Sequence, residues 1–158
     1  MDELLEHGLE RPAARLSRQA LWFLLHALLA LATWFGLMLL GYAVNPSNVP
    51  QWAILLASLF VPLVVGLIVA RFHRDDMATT VWLLGLIWMM IVSLWIFDMP
   101  TGPGQCFQCS ATEKLTRTFF SLPRPSGLID DDGPFIGTWP AAALIGYSIG
   151  ARLGRRRG

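Results

Sequence analysis

Residues 51–70 read QWAILLASLFVPLVVGLIVA, twenty residues without a charged side chain. At a helical rise of about 1.5 Å per residue, such a run can cross the roughly 30 Å hydrocarbon core of a bilayer. Three more apolar runs lie at 20–43, 78–97 and 135–153. The pattern predicts an all-α, polytopic integral membrane protein, built as a bundle of four transmembrane helices.

The overall composition also indicates a membrane protein. The chain has 158 residues, 54% of them hydrophobic and 15% charged, and its mean hydropathy is +0.52. These values lie outside the usual balance of soluble domains. The seven tryptophans fall mostly near the ends of the apolar runs, where an amphipathic ring can lie among lipid headgroups. We expect the lipid bilayer as a partner and no nucleic acid.

The distribution of Lys and Arg predicts the orientation. Nine of the twelve lie in residues 1–19, in the link 71–76 and in residues 152–157, whereas three lie in the long polar loop 98–134. Basic residues accumulate on the cytoplasmic side of membrane proteins. We therefore expect both termini in the cytoplasm, the loop 98–134 in the periplasm or outside the cell, and a plasma (inner) membrane location.

Two charged segments complete the cytoplasmic side. Residues 1–19 are predicted to form an interfacial arm, because leucines mixed with charged residues could give a short helix one apolar face before Pro12 interrupts it. Residues 154–158 form a basic tail. In the link, we expect His73 to be solvated or paired with Asp75 or Asp76.

The loop 98–134 contains both cysteines, Cys106 and Cys109. An oxidising compartment favours a disulfide between them, although so short a loop adds little stability. Immediately afterwards, Ser110 and Glu113 have the spacing of a capping box, which predicts a short helix over 110–120.

The cysteine pair allows three interpretations: a static disulfide, a redox-active pair with Cys106 or Cys109 as nucleophile, or a metal site. Zinc would need two more ligands, and the loop has no other Cys or His, so we predict no metal. The layout is similar to that of four-helix membrane thiol oxidases, which pass electrons from thiols to quinone. Those enzymes usually relay through a second cysteine pair, which this chain lacks.

Within the first run, His26 is a candidate functional residue because ionisable side chains are rare inside membrane spans. It could ligate a haem or chlorin, bond to a quinone, or bond as a neutral ring to a neighbouring helix. In the second run, Pro62 cannot donate to the carbonyl of Ser58, which predicts a kink that is structural or that widens a cavity. We predict no cofactor, with a quinone or pigment near His26 and Pro62 as the alternative.

The fourth run carries small residues at a constant spacing of four: Ala142, Gly146, Gly150 and Gly154. Such a strip lets another helix backbone approach closely, and this drives helix association in lipid. The strip predicts tight packing, either within the chain or against a partner.

No nucleotide-binding loop, hydrolase elbow or HExxH motif is present. The glycine strip, the small bundle and the lack of polar residues lining a path favour a non-catalytic accessory or scaffold subunit that packs through its fourth helix, in a homo-oligomer or a larger membrane complex. The alternatives are a thiol-disulfide oxidoreductase using Cys106 and Cys109, and a binder of a lipid, quinone or pigment near His26 and Pro62.

Overall fold

The computed structural model describes residues 12–44, 51–98, 110–120 and 133–156, and these residues form helices and their connections without any strand. The helices are α1 (Pro12–Val44), α2 (Gln51–Phe72), α3 (Trp82–Asp98), α4 (Ala111–Phe120) and α5 (Gly133–Arg156), with a short 3₁₀ turn, Met77–Thr79, before α3.

Within the described residues, three segments have the length and hydropathy of a membrane span: Ala14–Leu40, Trp52–Phe72 and Met77–Leu94. They agree with the prediction of a helical membrane protein. The fourth predicted span falls on α5, which is helical for 24 residues but is not among these three. A fourth crossing of the membrane therefore stays a prediction.

The outer surface of α1, α2 and α3 is strongly apolar. Leu28, Leu40, Met90 and Leu94 are each between 62% and 66% exposed, and many other leucines, isoleucines and aromatic residues on the same helices are also exposed. Soluble proteins rarely expose contiguous apolar patches beyond a few hundred Å². A surface of this kind is suited to lipid tails.

Helix α5 lies at the centre and packs against α1, α2, α3, α4 and the 3₁₀ turn. Trp139, Leu144, Tyr147 and Ala151 on it are fully buried. Because neighbouring helices cover most of the described part of α5, little of its surface would face lipid, and it can be less apolar than α1, α2 and α3. This burial explains its lower hydropathy.

Helices α2 and α5 run parallel. A β-carbon added to any of three α5 glycines would collide with the backbone of α2, and the facing residues rise together along both helices: Gly146 with Leu59, Gly150 with Leu63, and Gly154 with Leu67. The carboxyl ends of α2 and α5 therefore lie at the same end of the bundle.

Contacts between charged and aromatic residues define that end. The rings of Trp22 and His73 lie 4.6 Å apart, and Arg155 forms an ion pair with Asp76. The start of α1, the α2–α3 link and the end of α5 thus meet. We call the described parts of these segments, 14–18, 71–76 and 152–156, the basic end.

Helix α4 closes the opposite end of the bundle. The Thr138 hydroxyl, near the start of α5, donates a hydrogen bond of 2.6 Å to the Phe119 carbonyl. Phe119 is buried with Val92, which lies late in α3. At the start of α4, the Glu113 amide lies 3.4 Å from the Ser110 hydroxyl, so Ser110 is the N-terminal cap, although the bond is long.

Several helix boundaries differ from those expected. Helix α1 begins at Pro12, a favoured first helical position, so residues 12–19 belong to α1 and not to a separate arm. Residue 78 lies in the 3₁₀ turn, and α3 begins at Trp82. Gly154, assigned to the tail, lies inside α5.

Helix α2 continues through Pro62. Pro62 and Ser58 are both fully buried, and the Ser58 hydroxyl has no hydrogen-bond partner among the described residues. The protein therefore packs closely around Pro62. This packing argues against the wider cavity that we considered beside the expected kink.

Candidate functional site

His26 lies on the inner side of α1 and is 4% exposed. Its Nδ1 lies 2.7 Å from the hydroxyl of Tyr147 on α5, and Tyr147 is itself fully buried. The hydrogen bond therefore links two helices through their buried polar groups. This arrangement matches the alternative in which the ring bonds to a neighbouring helix.

The other ring nitrogen of His26 faces the α2–α3 link. Nε2 lies 3.7 Å from Oδ2 of Asp75, which is too long for a hydrogen bond, and Nε2 is buried without another partner in the described structure. A neutral ring has one donor and one acceptor nitrogen. With a carboxylate opposite Nε2, we infer that Nε2 carries the proton and that Nδ1 accepts from the Tyr147 hydroxyl.

Asp75 is positioned by the start of the 3₁₀ turn. Its Oδ1 accepts a 3.0 Å hydrogen bond from the Met77 amide, which is the local bonding that favours Asp at turns. Its side chain is 16% exposed. One face of the carboxylate thus holds the turn, and the other lies between His26 and solvent.

Further contacts surround this cluster. The Trp22 ring packs against the exposed ring of His73 and lies 6.1 Å from the ring of His26. Asp76 pairs with Arg155. His73 was expected to be solvated or to pair with Asp75 or Asp76; it is exposed and packs on Trp22, and the histidine opposite Asp75 is His26.

A cleft of ≈ 340 Å³ opens beside the cluster. Its lining combines a guanidinium, an amide, two carboxylates, an indole and a thioether: Arg18, Gln19, Trp22, Asp75, Asp76 and Met77. We call it the interfacial cleft, because it lies where α1 enters the apolar bundle. Its volume is within the usual range of small-molecule sites, about 300–1,000 Å³.

A second cleft, of ≈ 320 Å³, lies between α3 and α5 and is lined by Trp82, Ile145, Ser148, Ile149 and Arg152. Ser148 already has a structural role, since its hydroxyl accepts a 2.8 Å hydrogen bond from the Trp82 amide. That amide belongs to the first turn of α3, where no partner exists within the helix. Ser148 therefore caps α3 from α5.

The four small residues of the packing strip lie on the inner side of α5, all 9% exposed or less. Gly146, Gly150 and Gly154 face the backbone of α2. On the second face of α5, a β-carbon at Gly85 of α3 would lie 3.2 Å from the Ala141 carbonyl oxygen. These glycines therefore already pack against neighbouring helices of the same chain.

Cys106 and Cys109 lie outside the described residues, so their disulfide and their reactivity stay predictions. Among the residues that the structure does describe, no group of three or more His, Cys, Asp or Glu side chains could hold a metal ion.

Sequence reasoning identified His26 and missed both of its partners. Tyr147 lies 121 residues further along the chain, and nothing in the local sequence relates the two. The sequence places Asp75 in a charged turn, as a possible partner of His73 and not of His26. The one available signal was the parallel direction of the second and fourth runs, which brings the link and the end of α5 to the same side.

Comparison of the chain with models of protein families, with curated proteins and with solved structures finds no match.

Proposed function

We propose that this chain is a non-catalytic integral membrane protein that binds an amphiphile in the interfacial cleft. The observation that carries the proposal is the cleft itself, with charged, aromatic and thioether groups beside the buried pair of His26 and Tyr147. Its lining is more polar than that of a typical small-molecule site, which suits the charged headgroup of an amphiphile better than a wholly apolar ligand. The pair holds α1 against α5 and so keeps the cleft wall in position.

His26 acts in this proposal as a positioning residue. Both of its ring nitrogens are enclosed, one by Tyr147 and the other opposite Asp75. Contact with a haem iron or a quinone oxygen would require the ring to leave these partners. Accordingly, we expect the purified protein to show no visible absorption band from haem or chlorin.

The proposed orientation puts the basic end in the cytoplasm and α4 outside, in the plasma (inner) membrane. The clustering of Arg18, Arg71, Arg152 and Arg155 near one end supports this, because positively charged segments are retained in the cytoplasm. The ligand would then be drawn from the cytoplasmic leaflet.

A role as an accessory or scaffold subunit remains part of the proposal, but the surface that contacts the partner is not the glycine strip. The glycine strip packs against α2, so a partner or a second copy of the chain would contact the exposed apolar faces of α1, α2 and α3. Cross-linking in native membranes would detect such a complex.

The alternative of thiol–disulfide exchange rests on Cys106 and Cys109 alone. A reduction potential below about −300 mV would exclude it, since structural disulfides resist reduction in that range.

The proposed function is tested by filling the cleft. Gln19 is exposed on α1 and lines the cleft, so Gln19→Trp should occupy it without disturbing the core. The matched control is Leu40→Trp, at a position 66% exposed near the other end of α1. Mass spectrometry of the molecules that co-purify in mild detergent should show an amphiphile with the wild type and the control, and its loss with Gln19→Trp. Equal retention by all three proteins would refute the proposal.

A further inference from the structure

The carboxylate of Asp75 is incompletely satisfied. It accepts one hydrogen bond from the Met77 amide, and its contact with His26 Nε2, at 3.7 Å, is too long to be another. A carboxylate has about four acceptor sites. Among the described residues, no Lys or Arg lies within ion-pair distance of Asp75. A largely buried negative charge therefore faces the cleft with unused acceptor capacity.

The other charged side chains of the cleft differ from Asp75 in whether their charge is compensated by a partner. Asp76 is already paired with Arg155, so its charge is largely compensated. Arg18 lines the same cleft and is exposed to solvent. The cleft thus presents one uncompensated carboxylate and one accessible guanidinium, which suits a ligand that carries one positive and one negative group.

The aromatic residue of the cleft lining, Trp22, indicates which kind of positive group the ligand carries. Trp22 lines the cleft together with Asp75. One face of its indole packs on His73, and the part of the indole that lines the cleft can attract a cation. A primary ammonium also has three N–H donors, which the unused oxygen sites of Asp75 can accept. A quaternary ammonium has no such donor. The guanidinium of Arg18 is the natural partner of a phosphate, to which it can bond through two N–H groups.

The surface next to the cleft is apolar. Leu25 and Leu29 follow Trp22 at helical spacings of three and seven residues, so they continue one side of α1 away from the cleft. They are 46% and 39% exposed. Acyl chains can lie along this side of α1 while the headgroup occupies the cleft.

We propose that the interfacial cleft binds the headgroup of an aminophospholipid, with the primary ammonium at Asp75 and Trp22 and the phosphate at Arg18. This inference rests on the proposed function and specifies its ligand. It requires a preference for phosphatidylethanolamine over lipids that lack either the N–H donors or the ammonium.

The test uses the full-length protein in detergent with equal amounts of phosphatidylethanolamine, phosphatidylcholine and phosphatidylglycerol of identical acyl chains. Native mass spectrometry counts the bound lipids. The wild type should retain phosphatidylethanolamine about tenfold over the other two, a difference of about 1.4 kcal/mol. Asp75→Asn should reduce this ratio to about one, and Arg18→Gln should weaken retention of all three phospholipids.

Two controls match these charge changes. Glu113→Gln removes a carboxylate from α4 at the opposite end of the bundle, and Arg71→Gln removes an exposed arginine from the basic end outside the cleft lining. Both should keep the wild-type preference. If Asp75→Asn fails to fold, the wild type can still be tested with mono- and dimethylated phosphatidylethanolamine, whose retention should fall with each methyl group.

The outcomes separate this inference from the proposed function. Lipid that is lost with Gln19→Trp but shows no headgroup preference would overturn the aminophospholipid inference and leave amphiphile binding intact. Lipid retention unchanged by Gln19→Trp would overturn both. Displacement of bound lipid by an equal concentration of soluble phosphoethanolamine would show that the headgroup alone is recognised, which also contradicts an amphiphile ligand.

Discussion

At the residue scale, few polar side chains are buried among the described residues, and most of these join helices. Tyr147 bonds to His26 across α5 and α1, and Ser148 bonds to the first turn of α3. These two adjacent residues of α5 therefore fix two different neighbours. A buried polar group without a partner costs about 1–3 kcal/mol, so each bond selects one arrangement of the bundle over others that would leave it broken.

Tyr147→Phe tests the first of these bonds. The substitution keeps the ring and removes the hydroxyl, which leaves Nδ1 of His26 without its 2.7 Å partner. We expect a loss of about 1–3 kcal/mol in the free energy of unfolding, measured by denaturant titration in detergent micelles.

A double-mutant cycle provides the control for this prediction. In a His26→Phe background no ring nitrogen remains to be satisfied, so Tyr147→Phe should cost much less there, with a coupling energy of about 1 kcal/mol or more. If the two substitutions were additive, the hydrogen bond would contribute nothing to stability.

At the element scale, α5 organises the bundle because it combines small residues with central burial. Its glycines admit the backbone of α2, and Gly85 of α3 lies close to Ala141 on another part of its surface. In lipid there is no hydrophobic gain from joining two apolar helices, and close packing supplies the attraction instead. A less apolar helix is stable here because neighbouring helices cover most of its described surface.

Gly150→Ala tests this packing. The added methyl group would collide with the Leu63 carbonyl and lie 2.9 Å from the Leu67 amide nitrogen, and backbone atoms cannot move aside as a side-chain tip can. Overpacking typically costs about 1–3 kcal/mol, and we expect at least this loss in an unfolding titration with SDS. Gly36→Ala is the matched control, since nothing lies within 4 Å of its added carbon, and it should be neutral or slightly stabilising. Equal effects at both positions would refute the packing argument.

Sequence predicts those features of the helices that depend on one short stretch of the chain, and it does not predict the contacts between distant stretches. The apolar runs predict helices because length and hydropathy are local properties, and Gly146, Gly150 and Gly154 indicate close packing by their spacing alone. The identity of the packed helix is not local: no feature of the fourth run identifies Leu59 or Leu63 as the facing residue. The exact start of α3 was also missed, because it depends on Asp75 holding the turn and on Ser148 capping Trp82.

The candidate site was harder to predict for the same reason. His26 stood out because it is ionisable within an apolar run, but its partners are contributed by the α2–α3 link and by α5. The sequence indicates only that Trp22 is one of the tryptophans near the ends of the apolar runs, whereas in the structure it packs on His73 and lines the interfacial cleft. A site assembled from three separate segments leaves no spacing pattern in one sequence.

At the scale of the whole molecule, the two ends of the bundle differ in charge and in construction. Arginines and the mixed-charge cleft lie at the basic end, whereas the opposite end is closed by α4. The parallel arrangement of α2 and α5 fits two helices that cross a membrane in the same direction. Charge asymmetry then predicts which end enters the cytoplasm.

Cysteine labelling of intact cells tests this orientation. After reduction, Cys106 and Cys109 should react with a membrane-impermeant thiol reagent, because the loop 98–134 is expected outside. In a variant with both cysteines changed to serine, Phe72→Cys would place a single thiol at the basic end, at a position 88% exposed. That thiol should react only after the membrane is permeabilised. The opposite pattern would show that the protein is inverted. The proposal that the ligand comes from the cytoplasmic leaflet would then also be wrong. Labelling of both positions from the same side would contradict a bundle that spans the membrane, because the apolar faces of α1, α2 and α3 would then need a covering other than lipid.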